Sequence, residues 1–125
     1  MTSGNINIGE SELEIMKVLW KAGESVNTQY INKAVEDKGW KRTTISTFLT
    51  RLVEKGAIVS EKQGNTYYYS PIISRKEYRR SQTKNLIKSL YDGSVKDFAA
   101  ALFEEETLSE SDIEELKAIF NDKEE

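Results

Sequence analysis

The chain has 125 residues, 38% hydrophobic and 31% charged. That suits one domain, or two small ones packed together, with enough Leu, Ile, Val and aromatics to bury a core. It has no cysteine and no histidine, which excludes disulfides, thiolate catalysis, Cys-based zinc sites, Ser-His catalysis and imidazole metal sites. No apolar run approaches about 18 residues, and the N-terminus lacks a basic stretch followed by an apolar core. The expectation is a cytoplasmic, non-enzymatic chain with no membrane span, secretory signal or cofactor.

A first helix is expected from about Glu10 to Lys21. Leu13, Met16, Leu19 and Trp20 fall on one face of a 3.6-residue period, widened by Ile15 and Val18, and Gly23 stops it. A second helix starts after Asn27, a good N-cap, with Tyr30, Ile31, Ala34 and Val35 as its buried stripe and Gly39 at its end. The join, Glu24-Ser25-Val26, has room only for a tight turn or one strand-like residue pair. A third helix runs from about Arg42 to Lys55 on Ile45, Phe48, Leu49, Leu52 and Val53. Trp40 precedes its cap and is placed to staple Ile45.

The period then changes to 2. Ala57–Lys62 and Thr66–Ser70 read as two strands joined by the turn residues Gln63-Gly64-Asn65, and Pro71 closes the pair. Tyr67 and Tyr69 share the face expected to cover the third helix, and Tyr68 takes the other face. Ser74-Arg75-Lys76-Glu77 is a capping box for a helix reaching about Tyr91, which Asp92-Gly93 breaks. A short helix opens at Ser94 on Val95, Phe98, Ala99, Leu102 and Phe103. Ser109 with Asp112 caps the last, on Ile113, Leu116, Ile119 and Phe120, with residues 121–125 expected to fray.

Three helices followed by a hairpin have the order of a winged helix-turn-helix. The fold expected is mainly α with a small β-hairpin: a DNA-binding domain over residues 1–71 and a helical dimerisation domain over 72–125. Opposite the apolar stripe of the third helix lie Lys41, Arg42, Thr43, Thr44, Ser46, Thr47, Thr50 and Arg51, with no acid before Glu54. Hydroxyl and basic side chains at a helix start suit phosphate oxygens, base edges and thymine methyls. Glu, Lys and Gln would have made a more stable solvated face than these Thr and Ser residues, so DNA contact is favoured over plain solvation. Lys62, Asn65 and Tyr68 are the candidate wing contacts.

Charge is distributed unevenly: residues 1–71 carry a net +1, residues 72–92 a net +4 and residues 93–125 a net −8. Local charge matters most because salt screens beyond about 10 Å. The basic run Arg75, Lys76, Arg79, Arg80, Lys84 and Lys88 can meet DNA, an acidic segment of this or a partner chain, or solvent. The acidic stretches Glu104-Glu105-Glu106 and Glu110 to Glu115 lack the EF-hand spacing with its central glycine and read as solvated faces. The apolar stripes after Pro71 lack an obvious partner, and a second copy of the chain is the simplest supplier. The candidate dimerisation residues are Leu86, Leu90, Phe98, Leu102, Ile113, Leu116 and Phe120.

Three strings, Glu12-Leu13-Glu14-Ile15-Met16-Lys17-Val18-Leu19-Trp20, residues 43–56 from Thr43-Thr44-Ile45 to Glu54-Lys55-Gly56, and Tyr68-Tyr69-Ser70-Pro71, resemble the penicillinase-repressor family. That family comprises beta-lactamase and methicillin-resistance repressors and copper-responsive relatives. The resemblance covers about residues 8–120 and implies a homodimeric repressor of double-stranded operator DNA with an inverted repeat, together with an upstream protease or sensor of unspecified identity. Copper-responsive members carry a Cys-rich C-terminal motif, which this chain lacks. Beta-lactam-responsive members are cleaved at an Asn-Phe bond, where this chain has Ala101-Leu102. The alternative from another class is a winged-helix protein-interaction module that does not read DNA sequence.

Overall fold

The computed structural model describes residues 6–104 and 108–124. The chain forms two compact units, Met1–Gln82 and Thr83–Glu125. The division falls inside a helix whose start packs with the first unit through contacts given below.

In the first unit, helix α1 (Glu10–Ala22) ends at Gly23, whose φ of 71° needs the left-handed conformation that glycine adopts without strain. Strand β1 (Val26–Asn27) follows, and the Asn27 side chain accepts from the Tyr30 N–H to cap α2 (Thr28–Ala34). The second helix is shorter than its apolar spacing implies. It stops at Val35 and continues only as a 3₁₀ turn, Glu36–Lys38, closed by Gly39. Helix α3 (Arg42–Glu54) comes next, then strands β2 (Ile58–Gln63) and β3 (Thr66–Pro71).

The sheet is antiparallel with order β1-β3-β2, so it has three strands, not the two of a plain hairpin. Val26 and Asn27, the strand-like pair allowed between the first two helices, bond to Tyr69 and Tyr68. Gln63 pairs with Thr66 across the two-residue turn Gly64-Asn65. Gly64 alone of these two has positive φ, as in a II′ connection.

The core joins Ile15, Met16 and Leu19 of α1, Ile31 of α2, and Ile45, Leu49 and Leu52 of α3 to Val26, Ala57 and Ile58. Tyr30 and Ala34 were expected in the buried stripe of α2, but both are exposed, Tyr30 at 49%. The short α2 turns only Ile31, with Val35 beyond its end, into the core. Trp40 packs its edge on Phe48, with centroids 5.2 Å apart. Tyr69 packs on the core, but Tyr67 is 47% exposed. Tyr67 lies one pair from the hairpin tip, opposite Lys62, whose ammonium sits 5.8 Å from the ring centroid.

Helix α4 (Arg75–Leu90) begins with the expected capping box: Ser74 Oγ accepts from the Glu77 N–H, and the Glu77 carboxylate accepts from the Ser74 N–H, both at 3.1 Å. Trp20 Nε1 donates to the Ile73 carbonyl at 2.9 Å, and Tyr78 is buried with its ring 5.9 Å from that of Trp20. These contacts join the first turns of α4 to α1.

In the second unit, Asp92 and Gly93 both take positive φ and end α4. Ser94 caps α5 (Val95–Phe103) by accepting from the Asp97 N–H, and Tyr91 packs edge-on against Phe98. Ser109 and Asp112 cap α6 reciprocally. Helix α6 (Glu110–Glu124) continues through the residues expected to fray; residue 125 lies outside the described residues. No described side chain of this unit is buried: Leu90 is 71% exposed, Phe120 66% and Val95 65%.

Candidate nucleic-acid interface

At about 3.6 residues per turn, the core residues Ile45, Leu49 and Leu52 place Thr43, Thr47, Thr50 and Glu54 on the outer arc of α3. Lys41, Arg42, Thr43, Ser46, Thr47, Thr50 and Arg51 are all exposed. Thr44 is half-buried and flanks the arc. Thr47 Oγ1 donates to the Thr43 carbonyl and Thr50 Oγ1 to the Ser46 carbonyl, both at 3.0 Å. Each hydroxyl proton is therefore committed to the helix, leaving an oxygen lone pair and a methyl group for a partner. The N-cap Lys41 makes no side-chain cap bond, so the first N–H groups of α3 and their partial positive charge face outward beside Lys41 and Arg42.

The α3 face is held from behind. Lys55, at the C-cap of α3, bonds Glu12 near the start of α1. The same carboxylate oxygen accepts from the Gly9 N–H at 2.9 Å. Gly9 has no side chain to accept from the first-turn N–H groups, and Glu12 instead reaches back to satisfy the Gly9 N–H. Burial pushes the Glu12 carboxyl up, but the Lys55 and Gly9 hydrogen bonds and the charges of Lys55 and Arg51 outweigh it, leaving the pKa below its ordinary 4.5. Both residues lie in the strings that carry the family resemblance, yet nothing in their spacing pairs them. The one sequence signal is an acid three residues into a helix that starts on glycine.

The wing places Lys62 and Asn65 in exposed positions at the hairpin tip, while Tyr68 is half-buried in β3. Glu61 beside them accepts from Gln63 Nε2 at 3.3 Å. A polar groove that no sequence signal marks is lined by Gln29, Asn32 and Lys33 of α2, Glu36 and Trp40 after it, and Arg42 and Ile45 of α3. The Asn32 side-chain oxygen is buried there without a hydrogen-bond partner. Lys33 and Arg42 line it beside the start of α3, together with the acid Glu36.

Lys41 to Arg51 and Lys62, Asn65 and Tyr68 all belong to the first unit. The candidate dimerisation residues belong to the second. Phe98, Leu102, Ile113 and Leu116 are half-buried there, and Leu86, Leu90 and Phe120 are exposed. Glu105 and Glu106 lie outside the described residues. Among the described residues no group of acids is placed to hold a metal ion, and no helix is long and apolar enough to cross a membrane.

The penicillinase repressor family model matches residues 8–122. The penicillinase repressor of Bacillus licheniformis is 30% identical over 115 residues, covering 92% of this chain and 90% of its own. Methicillin resistance regulatory protein MecI of Staphylococcus aureus (strain N315) is 29% identical over 123 residues, covering 98% of this chain and 100% of its own. Among solved structures, the monomeric form of Bacillus licheniformis BlaI in complex with the blaP half-operator is 38% identical. It covers 58% of this chain and 88% of that one, with a TM-score of 0.50. With three helices and a small sheet in the winged-helix order and a family match over nearly its whole length, the chain belongs to the penicillinase-repressor family, whose members are transcriptional regulators and not enzymes.

Proposed function

We propose that the protein is a homodimeric repressor of an inverted-repeat operator, with residues 1–71 as its DNA-binding domain and residues 72–125 as its dimerisation domain. The α3 helix enters the major groove, Lys62 and Asn65 of the wing meet the backbone, and Tyr68 supports the wing strand. The observation that carries the reading is the exposed arc of α3, free of acid from Lys41 to Arg51 and dense in hydroxyls. The complex of monomeric BlaI with the blaP half-operator supports the DNA-binding part of this reading. Bound dimer lowers gene output by covering the promoter, and induction must weaken either the dimer or its DNA contacts.

The test is selection of bound sequences from random duplex DNA with the full chain, followed by a salt titration. The expected outcome is an inverted repeat bound with an affinity that falls steeply with salt through counterion release. Failure to enrich any sequence would remove sequence-specific repression.

A further inference from the structure

The two faces of the wing carry different chemistry. Cross-strand partners share a face of a sheet, as do residues two apart on one strand. One face therefore holds Ile58, Ser60 and Lys62 of β2 with Pro71, Tyr69 and Tyr67 of β3. This face turns toward the helices: Ile58 belongs to the core that contains Ile45, Leu49 and Leu52 of α3, and Tyr69 packs against it. The opposite face holds Val59, Glu61 and Gln63 of β2, and its Glu61 carboxylate accepts from Gln63 Nε2. The cation of the wing thus lies on the inner face and its acid on the outer one.

On the inner face, exposure rises toward the tip. Ile58 is buried, Ser60 and Tyr69 are half-buried, and Lys62 and Tyr67 are exposed. Lys62 and Tyr67 are directly opposed, and they form the first pair on this face to lie beyond the core. The Lys62 ammonium sits 5.8 Å from the Tyr67 ring centroid and makes no ion pair among the described residues. The Tyr67 hydroxyl makes no hydrogen bond among them. A cross-strand Lys–Tyr contact steadies a hairpin through the ring and the lysine stem alone, a role that leaves the phenolic O–H unused. Together the O–H and the ammonium supply one directed donor and one positive charge, and a phosphate group takes both. With α3 in the major groove, the sugar-phosphate strand bordering that groove passes between α3 and the wing, against the inner face. Glu61, on the outer face, points away from it.

We infer that Tyr67 is a further DNA-contact residue: its hydroxyl donates to a backbone phosphate whose charge Lys62 meets, and its ring holds the Lys62 ammonium in place. This rests on the reading of α3 as the helix that enters the major groove. The contact fixes the wing on the backbone and selects no base, because phosphate contacts carry no sequence information.

The test uses the full chain and the duplex that it enriches from random DNA. Tyr67→Phe removes the hydroxyl and keeps the ring. It should weaken binding about threefold to tenfold and leave the bound sequence, the salt slope and thermal unfolding unchanged. Lys62→Gln should weaken binding and reduce the salt slope by about 1. The double variant Y67F/K62Q should lose less than the product of the two single losses, because both groups serve one phosphate. Neutral methylphosphonates, placed one position at a time along the duplex, then locate the contact. One such position should weaken binding by the original chain and have a much smaller effect on Tyr67→Phe. Undiminished affinity in Tyr67→Phe, or equal sensitivity of the two proteins at every position, overturns the Tyr67 contact and leaves DNA binding by α3 standing. A loss in Tyr67→Phe matched by a lower unfolding temperature makes Tyr67 a brace of the hairpin and also overturns the contact. A chain that enriches no duplex removes the reading of α3 as well.

Discussion

Lys55 Nζ lies 2.5 Å from Glu12 Oε1, so one ion pair ties the end of the candidate reading helix to the start of α1. Glu12 is 5% exposed, and its carboxylate also satisfies the Gly9 N–H at the start of α1. The side chain thus both braces the start of α1 and positions α3. Lys55 is exposed, so salt reaches the pair from that side.

Glu12→Gln should destabilise the fold by about 1–3 kcal/mol at neutral pH, the range for losing hydrogen bonds to a charged group. The pKa of Glu12 is lowered on folding, so its contribution is fully present above the ordinary value of 4.5 and is lost as pH falls through the lower folded value. Denaturation of both proteins at neutral and at strongly acidic pH should show the gap closing in acid. A gap of equal size at both would mean that the charge of Glu12 is not its source.

Trp20 and Tyr78 should fix the start of α4 to the first unit. Trp20→Phe keeps an aromatic ring but leaves the Ile73 carbonyl without its donor, a loss of about 1–2 kcal/mol. Tyr78→Ala removes a buried ring and should lose about 3–5 kcal/mol, the range for large aromatic truncations. Amide exchange of the first turns of α4 should quicken in both. Unchanged protection in Tyr78→Ala would detach α4 from the first unit.

These contacts explain what was legible in the sequence and what was not. The apolar period and glycine stops placed α1 and α3 closely, because both signals are local. The two-residue strand β1 has no period to read; only its pairing with Tyr68 and Tyr69 defines it. Tyr30 and Tyr67 show the limit of periodicity, which assigns a residue to a face but does not say whether anything lies opposite it. The hydroxyl-rich face of α3 was visible from composition alone. The α2 side of its groove, with Asn32 and Lys33, was not, since it depends on how two helices cross.

On the α3 face, Thr47→Ala should change sequence preference, with about 1–3 kcal/mol of discrimination lost at one base position. Thr47→Ser keeps the bond to Thr43 but removes the methyl, and Thr47→Val does the reverse, so together they separate methyl contact from hydroxyl contact. Thr44 is half-buried beside the arc, and Thr44→Ala should alter stability more than preference. Arg42→Ala should weaken all sequences alike and reduce the salt slope by about 1. Binding selections on each variant decide the matter. Unchanged preference in Thr47→Ala would move the reading face elsewhere.

Phe120 is 66% exposed within one chain. An exposed position accepts a charge at little loss to the isolated fold, so Phe120→Asp should leave the thermal unfolding of the monomer nearly unchanged. In a dimer the same charge would enter an apolar seam, and the loss should be about 2 kcal/mol or more, as for a central interface residue. Sedimentation should then show monomers where the unmutated chain is dimeric. A dimer of undiminished strength would place Phe120 outside the seam.

A two-fold dimer presents two identical reading helices, and B-DNA repeats its major groove about every 10–10.5 base pairs. Half-sites should therefore be centred one helical turn, or a multiple of it, apart. Inserting five base pairs between them rotates one by about half a turn, onto the opposite side of the duplex. Affinity for the full site should then fall to near that of a single half-site, while each half keeps its own weak binding. Gel-shift titration of the original site, the site with five base pairs inserted and one with ten inserted makes the comparison, and the ten-pair insertion should recover part of the loss. Equal affinity for all three would mean that the halves are read independently, and the coupled-dimer account of repression would have to be replaced by one in which single copies bind.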